Sequence, residues 1–402
     1  AVCFDISMAT IKKSIIAGSI ALALGLGFSG CAQDPTPKTD AITVWVDELE
    51  AKALEKAAAE FRKDTKVSVN LVVQQDPRSN FLSQAATGGG PDVLVGAHDW
   101  VGELYANGLI EPMDLGGKKG DFYDNAVAAF QYEGKNYGLP YTIENLALVC
   151  NAKKFEKLQA WEQPTWQQVK EVGLALSLNA GGGDPYHLYP IQTSFGAHVF
   201  KKDQNGDYTP ELDLANGGVE FAKWLSSEGK IMLDPASTWD SSVSALKSGS
   251  KGCWITGPWA KDQLGLDSAE FNIYSIPSVG GKEAVSFLSS RGFYVSKASK
   301  DAFYAKKFVV DYVAKSEHQK ELFLVTGRVP ANKSAFDAAK DDRVVQGFGN
   351  AGRKAEPLPA IPAMGSVWAS WGASEIAIIR RQGKPEVIWN QMIADIQSSI
   401  NQ

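Results

Sequence analysis

Strand-like and helical segments alternate along most of the chain, and this alternation is what most restricts the fold that it can adopt. A β-rich run at 42–46 is followed at 48–64 by a segment in which Leu54, Ala57 and Phe61 recur at helical spacing. The pattern continues with strands at 67–73, 92–95 and 146–150, and with helices at 101–107, 165–178, 218–228, 302–314 and from Pro385 onward. Strands that are separated by helices predict an α/β fold with a mostly parallel sheet.

Residues 1–30 predict an export signal of the lipoprotein type rather than part of the fold. Met8, where we expect translation to begin, precedes two lysines, and an apolar run at 15–28 leads to Ser29-Gly30-Cys31. Small residues before a cysteine resemble a bacterial lipobox, although Phe28 replaces the usual leucine. We therefore expect Cys31 to be lipidated and the polar segment 31–41 to be a tether. The alternative is a short buried helix with an incidental cysteine.

Length and charge exclude several classes of partner for the remaining chain. Removing 30 of the 402 residues leaves 372, which is enough for two domains with sizeable cores. The removed part holds two lysines and one aspartate, so the formal charge of −6 becomes −7. This mild acidity argues against nucleic acid as a partner and against attraction to anionic lipid. No other apolar stretch has membrane-spanning length, so the lipid is the only membrane link that we expect.

The sequence carries no recognisable motif for catalysis, a metal or a cofactor. The glycines at 88–90 lack the Lys-Ser/Thr of a phosphate loop, and no GxSxG or HExxH motif occurs. The four histidines have no metal-ligand spacing, and Asn205-Gly206 predicts a hairpin turn better than a calcium loop. We expect no metal, no cofactor and no enzymatic activity.

Beyond Cys31 the chain has only two cysteines, Cys150 and Cys253. In an oxidising exterior these two could form a disulfide. Both lie in apolar strand-like runs, where cysteine serves as a small hydrophobic residue, and this favours two separate buried thiols.

Aromatic residues give the clearest indication of a ligand-binding site, because several of the eleven tryptophans lie near Gly or Pro in segments predicted to be loops. The aromatic residues in question are Trp100, Tyr186, Trp259, Trp368 and Trp371. Aromatic planes can cover the apolar face of a sugar ring, while carboxylates such as Asp99, Glu144 and Asp184 bind its hydroxyls. The pattern favours a neutral, polyhydroxylated ligand, although core packing is the alternative for any single tryptophan.

Short matching stretches along the chain resemble one known family. They include Val44-Trp45-Val46, Ala97-His98-Asp99, Asp184-Pro185-Tyr186 and Trp368, together with 61–65, 85–92, 137–141, 144–146, 151–154, 255–259 and 361–364. In this order and spacing, they make the chain similar, nearly end to end, to the maltose/maltodextrin-binding proteins of ABC importers.

That resemblance implies a two-lobed periplasmic-binding-protein fold with a cleft between lobes that are joined by crossing hinge segments. The crossings would lie near 141–146, 284–287 and 329–333. One lobe would combine 42–142 with 286–329, and the other 145–284 with 332–402. The chain would be a monomer that captures an oligosaccharide by lobe closure and delivers it to the importer's permease subunits. It would be extracytoplasmic and anchored to the cell membrane through its lipid.

Carried over residue by residue, the resemblance assigns hydroxyl contacts and packing surfaces. The hydroxyl contacts are Asp99, Glu144, Asp184 and Tyr186, and the packing surfaces are Ala97, Pro185, Trp259 and Trp368. The binding residues depart from the family in three places. Gly96 and Trp100 replace a Trp and an Arg, and the first binding loop, which reads Asp47-Glu48, is one residue shorter. Ala369 and Gly372 replace a Tyr and an Arg, with Trp371 nearby. These changes favour a larger or differently linked sugar than maltose, with a maltodextrin-like α-glucan as the first expectation.

Two other classes of function remain open on the sequence alone. A binding protein of the same fold for iron or a polyamine would need paired tyrosines with a histidine, or several carboxylates around aromatics, and neither cluster is evident. A glycosidase would need a marked pair of carboxylates, and no such pair stands out.

Overall fold

A computed structural model describes residues 34–155 and 163–402. The predicted signal at 1–30 and Cys31 lie outside the described residues. Ala41, the last residue of the predicted tether, is the first residue of a strand. Within the described part of the chain, no helix has both the length and the apolar character needed to cross a membrane.

The first sheet is built around three parallel strands, as the alternation predicted. Ala41–Val46 pairs in parallel with Ser68–Val73 on one side and Val93–Ala97 on the other. Arg291–Ser296 runs antiparallel beside Val93–Ala97, although it lies far along the chain. Ile110–Glu111 and Gly138–Pro140 also pair with this late strand. The prediction of a mostly parallel sheet therefore holds for the early strands only, because the strand added from the distant part of the chain enters in the opposite direction.

Helices cover this sheet and close its core. They are Glu48–Ala53, Glu55–Thr65, Pro77–Ala85, Val101–Ala106, Asp124–Ala129, Ala302–Lys307 with the π-helical continuation Phe308–Val313, and Ser316–Thr326. The segment predicted as one helix at 48–64 is two helices that meet at Leu54. Ala57 and Phe61 face the core, as their spacing predicted.

The second sheet contains Leu174–Ala175, Cys253–Thr256, Ala147–Asn151 and Phe271–Tyr274, in that spatial order. Ala147–Asn151 is antiparallel to both of its neighbours, and its register places Cys150 opposite Cys253. The two cysteines form a disulfide, so the expectation of two separate thiols was wrong. The apolar character of each strand does indicate burial, but the register between strands decides whether two buried cysteines meet.

Nine α-helices and one hairpin surround the second sheet in the described residues, and a further helix, Lys333–Ala338, packs against Ser316–Thr326. The nine helices are Trp166–Val172, Pro185–Ser194, Gly218–Trp224, Lys230–Met232, Trp239–Ser248, Lys261–Leu264, Arg343–Ala351, Trp368–Ile379 and Pro385–Ile400. The predicted helix at 165–178 ends early, because Gly173 has a φ of 85° and the chain then enters a strand. The predicted hairpin is confirmed, with Phe200–Lys202 antiparallel to Tyr208–Leu212.

A third, three-stranded sheet lies where the chain passes between the two sheets. It contains Glu144–Asn145, Phe287–Ser289 and Glu356–Pro357. Beside it, Thr142 forms an isolated β-bridge with Pro330. Two large sheets with their own helices and these shared crossing strands make an α/β fold of two lobes.

Candidate ligand-binding site

The carboxyl ends of the parallel strands in the first sheet place several polar residues at one edge. Asp47 follows Ala41–Val46, and Ala97 ends the neighbouring strand, before the short 3-10 turn His98–Trp100. Arg291, which begins the antiparallel strand, is in register with Ala97. Glu48 is exposed in the first turn of the following helix. Ligands of open α/β folds bind outside the carboxyl ends of such strands.

Hydrogen bonds to neighbouring segments hold the turn that carries Asp99 and Trp100 in place. The Tyr294 hydroxyl donates to the carbonyl oxygen of Ala97 at 2.7 Å. The buried His98 ring accepts a hydrogen bond from the Ser290 N–H at Nδ1 and donates from Nε2 to the Leu358 carbonyl oxygen. These partners fit the neutral ring, and burial holds the pKa of His98 below its usual value. His98 therefore positions the turn.

Trp100 and Gly96 are sterically linked. A Cβ built on Gly96 would lie 2.2 Å from the Trp100 indole ring, so only glycine permits the indole to fold over the strand at this point. The Arg78 guanidinium lies 5.8 Å from the centroid of the same ring and pairs with Glu103. Glycine at 96 is thus a steric requirement for the position that the Trp100 indole takes.

Three predicted residues of the second lobe form a surface that we call the aromatic wall: Tyr186, Trp259 and Trp368. The centroid of Tyr186 lies 6.4 Å from that of Trp259 and 5.9 Å from that of Phe287. Phe287, a buried crossing-strand residue, lies 6.2 Å from Trp368 and stacks on Tyr189 behind it. Trp259 is 45% exposed, and its indole folds over Gly257, where a Cβ would lie 2.2 Å from the ring.

The prediction that Tyr186, Trp368 and Trp371 lie in loops was wrong, because Tyr186 belongs to the helix Pro185–Ser194 and both tryptophans belong to the helix Trp368–Ile379. The two rings stack with centroids 5.6 Å apart, yet only Trp368 reaches the surface. Trp371 is fully buried and donates its N–H to Gln192 at 2.8 Å. It presents no surface to a ligand in this structure and instead supports the wall from within.

Two predicted carboxylates lie beside the aromatic wall. Asp184 caps the helix Pro185–Ser194, where Pro185 is buried, and its Oδ2 lies 2.7 Å from the His187 ring. Glu144 is in register with Ser289 in the crossing sheet. Burial raises the pKa of the Tyr186 hydroxyl, a hydrogen bond with Ser289 opposes this, and the charges of Glu144 and Asp184 raise it further. The Tyr186 phenol is therefore neutral, and both carboxylates are close enough to affect its pKa.

An open cavity of about 520 Å³ includes two of the predicted site residues in its lining, whereas Glu144, Asp184, Tyr186 and Trp259 do not line it. It is lined by Asp99 of the first sheet's edge and by Trp368 of the aromatic wall, with Arg78 and Pro359 among its other walls. The cavity brings together one predicted hydroxyl contact and one predicted packing surface. This volume lies within the range of typical small-ligand sites.

Sequence reasoning missed an ionic cluster at the edge of the first sheet, which we call the charged edge: Asp47, Glu50, Arg291 and Arg328. Arg328 donates to Asp47 at 2.9 Å and to Glu50 at 3.1 Å, and Arg291 binds Glu50 at 2.8 Å. Burial opposes ionisation of Asp47, but the Glu50 N–H and the two arginines together hold its pKa below the usual value. Asp47 and Glu50 are three positions apart, but Arg291 and Arg328 lie more than 200 positions further along the chain, so spacing gave no signal that the arginines join them.

Among the described residues, one group could donate to a metal ion: Glu60, Glu317 and His318. Glu60 is already paired with the Lys315 ammonium group and with the His318 ring. These contacts supply the carboxylate with partners, and the group lies outside the site described above.

Comparison with known proteins agrees with this architecture. A family model of bacterial extracellular solute-binding proteins matches residues 56–346. The maltodextrin-binding protein of Bacillus subtilis is 27% identical, with 94% of each chain covered. A maltooligosaccharide ABC transporter solute-binding lipoprotein of Streptococcus pneumoniae is 26% identical, over 89% of this chain and 90% of the relative.

The crystal structure of a cyclo/maltodextrin-binding protein complexed with maltotetraose matches with a TM-score of 0.79 and 27% identity. The match covers 91% of this chain and 98% of that one, which includes both lobes. The family match covers well over half of the sequence, and the structural match extends across both lobes and the crossing sheet. The chain therefore belongs to the bacterial extracellular solute-binding proteins.

Proposed function

We propose that this protein is the substrate-binding lipoprotein of an ABC importer and that it captures maltooligosaccharides between its lobes for delivery to the permease. The observation that carries the proposal is the aromatic wall, with the Glu144 and Asp184 carboxylates beside it. Relatives that match over 94% and 89% of this chain bind maltodextrins or maltooligosaccharides by name, which supports the same class of ligand here.

Binding would use the two kinds of surface that an α-glucan offers. The aromatic wall would cover the apolar faces of the glucose rings, with Ala97 and Pro185 as further packing surfaces. Asp47, Glu48, Asp99, Glu144 and Asp184 would accept hydrogen bonds from the hydroxyls, and Tyr186 would donate one. Only a closed arrangement of the lobes touches the sugar from both sides, so ligand binding would favour closure.

Trp100 would extend the packing surface on the first lobe. Its indole lies over Gly96 and beside Arg78, at the edge of the sheet that also carries Asp99. A longer oligosaccharide would therefore have one more aromatic ring of the protein to contact. We therefore infer a preference for maltotriose and maltotetraose over maltose.

The lobes would comprise 42–142 with 286–329 and 145–284 with 332–402, in a monomer anchored outside the cytoplasm by lipid on Cys31. Mass spectrometry of protein purified from membranes should find the lipid on Cys31 and no residue before it. Recovery of an uncut chain, or of one cut elsewhere, would contradict the anchor.

Titration with maltose, maltotriose and maltotetraose tests the ligand class directly. We expect tryptophan fluorescence to change, because Trp259 and Trp368 lie on the proposed surface, and affinity to rise with chain length. Cellotetraose, which has the same rings in β-linkage, is the matched control and should bind more weakly. No response to any α-glucan at millimolar concentration would overturn the proposal, and cleavage of the sugar during the titration would indicate an enzyme instead.

A further inference from the structure

We propose that the buried Glu50 carboxylate is a positioning residue for sugar binding, because it holds Asp47 in place through two shared arginines. This inference rests on the proposed function, in which Asp47 contacts the sugar. The side chain of Asp47 is 34% exposed at the edge of the first sheet, whereas that of Glu50 is fully buried. Glu50 cannot reach a ligand directly, so any effect on binding must pass through its neighbours.

The first link between the two carboxylates is a capping box at the start of the helix Glu48–Ala53. The Glu50 N–H donates to Asp47 Oδ1 at 2.7 Å, and the Asp47 N–H donates to Glu50 Oε2 at 2.9 Å. One oxygen of each carboxylate is used in this exchange. The main chain of the sugar-contacting loop is therefore fixed to the buried side chain.

The second link is Arg328, which bridges the two remaining oxygens. Its Nη2 donates to Asp47 Oδ2 at 2.9 Å, and its Nη1 donates to Glu50 Oε1 at 3.1 Å. The planar guanidinium fork fixes the distance between the two carboxylates, which a lysine ammonium group could not do. Arg291 adds bonds to Glu50 Oε1 from Nε at 2.9 Å and from Nη2 at 2.8 Å.

The charges of this cluster balance, which explains how a carboxylate can be buried there. Two carboxylates face two guanidinium groups, and the Tyr141 hydroxyl donates to Glu50 Oε1. Burial and the neighbouring Glu50 raise the pKa of Tyr141, so the phenol stays neutral. Removing the charge of Glu50 would leave Arg291 and Arg328 with Asp47 as their shared partner. The arginines would then compete with the sugar for the Asp47 oxygens.

The cluster also ties the position of Asp47 to the crossing segments. The Tyr141 N–H donates to the Arg291 carbonyl oxygen at 2.9 Å, and the Ala331 N–H donates to the Tyr141 carbonyl oxygen at 3.0 Å. Tyr141, Arg291 and Arg328 each adjoin a different segment that runs between the lobes. Because all three side chains bind Glu50, this carboxylate connects the three segments to the loop that carries Asp47.

The test is a double-mutant cycle read as the Kd for maltotetraose. Glu50→Gln keeps the shape of the side chain, and we expect it to weaken binding about tenfold, as we expect of Asp47→Asn. Because both variants act through one contact, the double variant should bind about as well as Asp47→Asn alone. Arg328→Lys, which keeps the charge but loses the fork, should weaken binding to a similar extent and is the test variant if Glu50→Gln does not fold.

Glu60→Gln is the matched control, since it also removes a paired carboxylate from the same lobe, away from Asp47. It should leave the Kd unchanged even if it lowers the melting temperature. Additive effects of Glu50→Gln and Asp47→Asn, or unchanged binding in Glu50→Gln and Arg328→Lys, would overturn the inference. Binding that needs Trp259 but not Asp47 would overturn it while leaving the proposed function intact, whereas no binding by the unmodified protein would overturn both.

Discussion

On one side of the proposed site the charged edge holds its side chains by bonds among themselves, whereas on the other side the aromatic wall is held by the core beneath it. Arg328 connects two carboxylates, and the buried Glu50 accepts bonds from three different segments. The wall instead rests on Phe287, which stacks on Tyr189 at 3.8 Å and lies edge-on to Trp371. Directional bonds fix the carboxylates against rotation, while close packing fixes the aromatic planes.

Substitutions on the two sides of the site should therefore act in different ways. A change in the charged edge should alter binding through the orientation of a carboxylate. A change beneath the aromatic wall should reach binding only by weakening the fold of the second lobe. Binding and stability measured on the same variants separate these two routes.

Trp371→Ala should lower the free energy of unfolding by about 3–5 kcal/mol, because a fully buried indole and its bond to Gln192 are lost. Urea unfolding followed by circular dichroism measures this change. Protein that remains folded should still bind maltotetraose, since Trp371 has no exposed surface. Weakened binding at unchanged stability would instead make Trp371 part of the ligand surface, as the sequence suggested.

Reducing the Cys150–Cys253 disulfide should cost about 2–4 kcal/mol of stability, because it closes a loop with a sequence separation of 103 residues. The disulfide joins Cys253–Thr256, which precedes Trp259, to Ala147–Asn151, which follows Glu144. The loss of stability should therefore arise in the second lobe. Urea unfolding with and without dithiothreitol measures the difference. A variant with alanine at both positions should not respond to the reductant, and a response in that variant would assign the effect to another cause.

Trp259→Ala should weaken maltotetraose binding by about 2 kcal/mol, the scale of an aromatic hot spot, or more than tenfold in Kd. Because the side chain is 45% exposed and lies on a turn, the melting temperature should change little. The matched Trp371→Ala variant should show the reverse, with stability lost and affinity kept. Normal binding by Trp259→Ala would remove this residue from the site and leave the wall with only Tyr186 and Trp368.

The sequence predicted those parts of the molecule that depend on local pattern. The early parallel strands, the Asn205-Gly206 hairpin and the terminal helix that begins at Pro385 follow from periodicity and turn chemistry. The charged edge was beyond reach, because Asp47 and Arg328 are separated by 281 positions and only the fold brings them together.

The same limit applies to burial on one helix. Trp368 and Trp371 are three residues apart and stack on each other, yet one reaches the surface and the other is core. Helical spacing predicts that two such side chains are neighbours, but which of them faces solvent depends on the elements packed around the helix. Here the helix Pro185–Ser194 supplies Tyr189 and Gln192 against Trp371.

The smallest effect that we expect is a pH dependence from His98, on the side of the charged edge. Burial lowers the pKa of His98 in the folded protein, whereas a histidine in the unfolded chain titrates near 6.5. As the pH falls through this value, the unfolded chain takes up a proton that the folded protein does not, so stability falls toward acid by less than about 1.4 kcal/mol per pH unit.

His198 provides the opposite sign in the second lobe. Its bond to Glu356 raises its pKa, so its contribution is present below about pH 6.5 and is lost as the pH rises through the folded value. Urea unfolding between pH 5.5 and 8, compared with His98→Asn and His198→Asn, separates the two. His98→Asn keeps a donor and an acceptor and should flatten the acid-side loss, while His198→Asn should steepen it. All other titrating groups are common to the three proteins, so they cancel when the free energy of unfolding of a variant is subtracted from that of the wild type. If this difference does not change with pH for either variant, neither histidine changes its protonation between the folded and unfolded states.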